Sequence, residues 1–178
     1  MKILKGLLFA VLALIAIILI SAAFVKKDFG VERQVVINKP KAQVFEYLKS
    51  LKSQNDWSTW GRKDPNMKSE FIGADGTVGC ISKWSGNDEV GEGEQEIKKI
   101  IEGERIENEL RFIKPFKNKS LAYFVTESVN DSTTTVKWGF TGKMPYPFNL
   151  MTVVLNMDES IGKDYEEGLA NLKAKLEG

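Results

Sequence analysis

Met157 to Leu176, MDESIGKDYEEGLANLKAKL, leaves this chain few ways to fold. Its apolar residues Ile161, Tyr165, Leu169, Leu172 and Leu176 recur every three or four positions, which is the stripe of an amphipathic helix and not the alternation of a strand. Asp158 and Glu159 stand where the start of such a helix is electropositive, and Lys173 and Lys175 where its end is electronegative. What precedes this helix is mostly strand pattern, and strands with one apolar face need a cover. One long C-terminal helix supplies it. Gly162 and Gly168 lie near the stripe, and each weakens the helix by roughly 1 kcal/mol relative to Ala. Close approach of the helix backbone to the sheet is the plainer reason for them; room for a ligand is the sharper one.

The strands are read from alternation. Val31 to Ile37 sets Val31, Val35 and Ile37 on one face. Pro40 then starts a helix with the stripe Val44, Phe45, Leu48 and Leu51, and Trp57 and Trp60 share one face of a short helical turn. Met67 to Gly73 follows, then Val78 to Ser85 with Val78, Cys80, Ser82 and Trp84 on one face, then Gln95 to Ile101. Arg105 to Ile113 alternates most cleanly, with Ile106, Asn108, Leu110 and Phe112 opposite Arg105, Glu107, Glu109 and Arg111. Leu121 to Val129 is expected to turn Leu121, Tyr123, Val125 and Val129 one way, and Thr133 to Gly142 carries Val136, Trp138 and Phe140 inward. Phe148 to Met157 is apolar and helical, leading into the last helix. The expected fold is α+β: a seven-stranded antiparallel sheet that twists and curls, two short helices after the first strand, and the long helix in its concave side.

Ahead of this lies Leu7 to Val25, an uncharged run of 19 residues in which 13 are Leu, Ile, Val or Phe. As a helix it spans about 28 Å, near the roughly 30 Å hydrocarbon core, and inserting it is favourable by roughly 4 to 8 kcal/mol. A cleaved signal peptide, with Ser21-Ala22-Ala23 as the cleavage site, competes with an uncleaved anchor, and the length fits the anchor better. The chain divides accordingly into a transmembrane anchor over 1–26 and a domain over 27–178. Lysines flank the run on both sides, so charge leaves orientation open. A short N-terminal tail favours placing the domain outside the cytoplasm.

Without Lys2 and Lys5 the remainder holds 23 basic against 24 acidic residues, which gives a nucleic acid no electrostatic footprint to meet. One cysteine, Cys80, rules out an internal disulfide, and the lack of histidine removes the commonest general base and most zinc chemistry. No metal or cofactor is implied. Asp56, Glu70, Glu127 and Asp164 are acid–base candidates by location alone and form no catalytic set. Glu92, Glu94 and Glu96 share one strand face, better read as solvated than as a cation site. Lys98-Lys99 and the KPFKNK group, Lys114 to Lys119, read as loop charges, with contact to anionic lipid headgroups as the alternative.

VERQVVINKPKAQVFEYL (Val31 to Leu48), NDWSTW (Asn55 to Trp60), SKWSGNDEVGEGEQEI (Ser82 to Ile97) and IGKDYEEGLANLK (Ile161 to Lys173), in that order, resemble the SRPBCC superfamily of START-like, pollen-allergen-like and polyketide cyclase/dehydrase-like proteins. The resemblance covers roughly residues 31–176 and implies the helix-grip fold, with a hydrophobic cavity between sheet and C-terminal helix. The membrane segment is an addition to that pattern. The inner faces and helices supply aromatic and methionine side chains, among them Met144, Phe148 and Met157, which suit a pocket for an apolar molecule. Trp57, Trp60, Phe71, Trp84, Phe112, Tyr123, Trp138, Phe140, Met151 and Tyr165 are the expected lining. The functional expectation is a membrane-anchored domain binding a small hydrophobic or lipid-like molecule. A cyclase- or dehydratase-type enzyme in the same cavity, and a ligand-free interaction platform, are the alternatives.

Overall fold

The computed structural model describes residues 2–178. In chain order it contains α1 (Lys2–Phe24), β1 (Asp28–Ile37), α2 (Lys41–Lys49), α3 (Leu51–Trp57), the single turn α4 (Trp60–Lys63), β2 (Lys68–Ile72), β3 (Ile81–Ser85), β4 (Glu92–Ile101), β5 (Arg105–Lys114), β6 (Asn118–Asn130), β7 (Thr133–Lys143), a 3-10 turn at Phe148–Leu150, α5 (Met151–Val154) and α6 (Met157–Glu177). The seven strands form one antiparallel sheet in the order β1-β7-β6-β5-β4-β3-β2, and the first strand closes against the last because α2 to α4 carry the chain across the open side. A register shift between Ile97 and Lys99 interrupts the β4–β5 ladder, where a bulge bends the sheet. This is the helix-grip architecture, with α6 gripped in the concave face.

α6 buries Tyr165, Leu169 and Leu172 against β1, β7 and α3. Both glycines prove to be points of close approach. A Cβ on Gly162 would lie 2.0 Å from the Arg33 guanidinium, which reaches across to Asp158 and Glu166 of the same helix. A Cβ on Gly168 would lie 2.8 Å from the Trp138 ring. These contacts predict opposite outcomes. Arg33 is a flexible side chain at the surface and can swing away, so Gly162→Ala gains helix propensity and is tolerated. Trp138 is wedged among the rings of Trp57, Trp60, Phe124 and Tyr165, so Gly168→Ala destabilises by about 1 kcal/mol, as overpacking outweighs the propensity gain. Thermal unfolding of the two full-length variants, followed by circular dichroism, checks both signs.

The structure departs from the sequence expectations in four places. Helix does not run unbroken from Phe148 into α6. Asn156 takes a left-handed conformation (φ 44°), which Asn accepts more readily than most residues, and its side chain bonds Glu159. Trp57 and Trp60 do not share a helix: Ser58 and Thr59 separate α3 from α4, giving three short helices after β1. Val78 is exposed and lies before β3 begins. In β6 the buried side chains are Ser120, Ala122, Phe124 and Thr126, so Leu121, Tyr123 and Val125 face outward.

α1 is long and apolar enough to cross a membrane, with mean hydropathy 3.1 in its most apolar window. The domain holds backbone carbonyls at its C-terminal end: the Asn149 side-chain amide donates to the Ala22 carbonyl and to that of Val25 just past the helix, both at 2.7 Å, and the Tyr146 hydroxyl donates to Leu19 O at 3.2 Å.

Candidate functional site

Between the concave sheet and α6 lies a cavity of about 430 Å³. Strand alternation builds its floor. Asn108, Leu110 and Phe112 are successive inward positions of β5, and the ladder sets Ala122 of β6 beside Asn108 and Gln95 of β4 beside Leu110. Trp84 of β3 lies across Gly93, where a Cβ would come 2.5 Å from its ring, and so reaches Phe112 edge-on with centroids 5.9 Å apart. Trp138 and Phe140 of β7 complete the floor, and Leu51, Gln54, Trp60, Ile161 and Tyr165 form the helical wall. Met67, Glu89, Asn118, Met144 and Met157 extend the lining to one end of the sheet.

An aromatic cluster fixes the shape of this wall. The Trp138 ring stacks on Tyr165 at 3.9 Å with 9° between planes, and Trp57 and Trp60 meet it edge-on at 5.0 and 5.9 Å. Burial pushes the Tyr165 phenol far above its ordinary range, so it remains a neutral hydroxyl at any physiological pH.

Six of the ten expected lining residues stand on the cavity wall: Trp60, Trp84, Phe112, Trp138, Phe140 and Tyr165. Four do not. Trp57 is completely buried behind Trp138 and serves the core. Phe71 sits on the short β2 at the sheet margin, under the Lys52 ammonium. Tyr123 belongs to the outer face, where its ring covers Gly139, stacks under the Arg105 guanidinium and donates to Glu32. Met151 is exposed on α5, near α1 and away from the cavity. Phe148, also among the apolar candidates, is exposed in the same segment.

The polar groups of the cavity are few. Gln95 of β4 donates to Gln54 of α3 at 3.0 Å, tying the sheet to the helical wall. Lys63 and Asp164 pair at 2.8 Å. Asn108 is 1% exposed, and no described residue pairs with either its amide nitrogen or its carbonyl oxygen. A buried primary amide has two donors and an acceptor to satisfy, so this side chain calls for water or a group on a bound molecule. Its sequence signal is a polar residue on the otherwise apolar face of the cleanest strand in the chain.

Of the acid–base candidates, only Asp164 reaches the cavity, and it is held by Lys63. Asp56 is exposed, and Glu70 and Glu127 pair with Lys83 and Lys137 outside it. Glu94 and Glu96 on the outer face are bound, with Glu109, by the Arg111 guanidinium, while Glu92 pairs with Lys114. Arg111 holds the Glu96 and Glu109 carboxyls below their ordinary range and fills the place a cation would take.

By sequence, no family model matches the chain, nor does any curated protein. By structure the likeness is broad. Protein CV1439 from Chromobacterium violaceum superposes with a TM-score of 0.58 at 13% identity, covering 84% of this chain and 97% of that one. XoxI from Bacillus cereus gives 0.59 at 15% identity, with 82% and 94% covered. Ara h 8.0201 gives 0.56 at 13% identity, with 83% and 97% covered. The solved neighbours are helix-grip proteins of the SRPBCC type, and at these identities the likeness shows the fold.

Proposed function

We propose that residues 27–178 form a binding domain for one small hydrophobic or amphiphilic molecule, held at a membrane by the anchor 1–26. The observation that carries this reading is the cavity itself. Its 430 Å³ falls within the roughly 300–1,000 Å³ range of small-molecule sites, and its lining has the usual make-up of such sites: aromatic and aliphatic side chains with a small number of polar groups. Asn108 gives the ligand a polarity. A pure hydrocarbon would leave its amide unpaired, at a cost of roughly 1–3 kcal/mol, whereas a carbonyl, hydroxyl or amide on the ligand pairs with it. The ligand is therefore an amphiphile with a hydrogen-bonding group set inside the cavity and its apolar part along Trp138, Phe140 and Phe112. The anchor reading rests on the length and hydropathy of α1.

Native mass spectrometry of the full chain released from detergent micelles tests the reading. The expected spectrum shows the chain carrying one hydrophobic molecule of constant mass. The adduct is lost in Ala122→Phe, which fills the cavity next to Asn108. A bare chain mass under the gentlest release, with no retained molecule, would sink it.

A further inference from the structure

Between Lys143 and Asp158 the chain runs through fourteen residues, Met144 to Met157, without a charge, in a protein that is 28% charged overall. A loop of this composition ordinarily buries its apolar side chains. This one does not: Tyr146, Phe148, Met151, Val153, Val154 and Leu155 are between 42% and 72% exposed. Each of its polar side chains, by contrast, makes a hydrogen bond within the chain. Tyr146 and Asn149 donate to carbonyls of α1, the Thr152 hydroxyl donates to Asn149 O, and Asn156 bonds Glu159. The segment shows apolar groups outward and spends its side-chain donors on partners within the chain, which suits a lipid environment and not water.

Its height along α1 agrees. Tyr146 bonds at Leu19, five residues before Phe24, the last residue of α1, which is about 7.5 Å down the helix at 1.5 Å per residue. Interfacial segments sit about 5–10 Å into the boundary between headgroups and acyl chains, the layer in which Tyr is enriched. If α1 crosses a bilayer, the 146–155 segment is at interfacial depth beside it. The sheet supplies a second contact at the same end. Asp28 pairs with Lys143 and Phe112 with Asn118, so the β5–β6 turn lies at the end of the sheet where β1 begins, and Phe116 at its tip is 80% exposed among Lys114, Lys117 and Lys119. The cavity lining reaches this end through Met144 and Met157, which bracket the apolar segment.

We infer that Tyr146 to Leu155 seats in the interfacial layer of the bilayer that α1 crosses, turning the Met144–Met157 end of the cavity toward lipid, so that the ligand is drawn from the membrane. This rests on the anchor reading of α1 but is tested separately from it. The full chain is reconstituted into phosphatidylcholine–phosphatidylglycerol vesicles with an environment-sensitive fluorophore on Val154→Cys, and in parallel on Ser132→Cys in the exposed β6–β7 turn at the far end of the sheet. Cys80 is buried and does not compete for label. The expected result is a blue-shifted Val154 probe that is quenched several-fold more by acyl-chain nitroxide lipid than the Ser132 probe, and is shielded from iodide in the water. A Val154 probe that iodide reaches as easily as the Ser132 probe overturns the inference while leaving the anchor intact. Shielding from iodide without quenching by lipid also overturns it, in favour of a protein cover. Failure of the chain to float with the vesicles removes the anchor and the inference together, leaving the cavity as a ligand site untouched.

Discussion

Trp138→Ala is expected to lower stability by roughly 3–5 kcal/mol, the range for removing a large aromatic from a packed interior. At about 2–4 °C per kcal/mol for a domain of this size, the midpoint of thermal unfolding falls by about 10 °C. Trp138 is where the sheet meets both helical layers. It stacks on Tyr165 of α6, receives the edges of Trp57 from α3 and Trp60 from α4, and lies 5.6 Å from Phe124 of the neighbouring strand. Gly168 exists in α6 to let that ring approach. Truncation therefore leaves a void joined to the cavity between sheet and helix, which collapse cannot fill without moving α6. Trp84→Ala is the control. It removes an equally large side chain, but one that is only partly buried and has Phe112 as its ring partner, so its loss is smaller. Equal losses for the two would mean that the sheet–helix joint is not where the domain is held together.

That joint was partly legible in the sequence. The α6 stripe, the alternation of β5 and the inward Val136, Trp138 and Phe140 of β7 all follow from period alone, because one face of each element is mostly apolar and the other polar or charged. β6 has no such contrast. Its outward set, Leu121, Tyr123 and Val125, is more apolar than its inward set, Ser120, Ala122, Phe124 and Thr126. Hydrophobicity alone selects the wrong face. Two tertiary facts reverse it. Small residues are needed inside where the cavity and α2 approach the sheet, and the outward Tyr123 is covered by Arg105 and bonded to Glu32 of β1. Neither partner is adjacent in sequence.

The cavity was legible as a kind of site but not as a set of residues. Aromatic content marks both a core and a pocket lining, and only the fold separates Trp57, which is sealed behind Trp138, from Trp60, which stands on the cavity wall. Phe71 and Met151 lie off the cavity wall for another reason: Phe71 is on the short edge strand β2, packed against the margin of the core, and Met151 is exposed in the 148–155 segment. The lining residues with polar chemistry, Gln54, Gln95 and Asn108, carry no signal in an apolar-residue search.

Asn108→Leu separates stability from binding. In the free protein Asn108 is a buried amide that no described residue satisfies, flanked on the ladder by Ile97 and Ala122. Leu has nearly the same shape and no polar atoms, so the substitution removes a desolvation penalty and creates no void. Stability is expected to rise by roughly 1–3 kcal/mol, the worth of an unsatisfied buried polar group, and by less where water enters to pair with it. The midpoint of unfolding moves up by several degrees. Ligand occupancy moves the other way. A ligand whose polar group pairs with the amide loses that hydrogen bond and leaves its own group facing Leu, a loss of roughly 1–3 kcal/mol, or about five- to 150-fold in affinity. The retained molecule seen by native mass spectrometry falls in proportion. A core asparagine would behave differently: were Asn108 only a tolerated defect, Leu would stabilise the chain and leave the bound molecule unchanged. Were its amide bonded within the protein, Leu would destabilise it. Only a polar group placed for a ligand gives a more stable protein that holds its ligand less well.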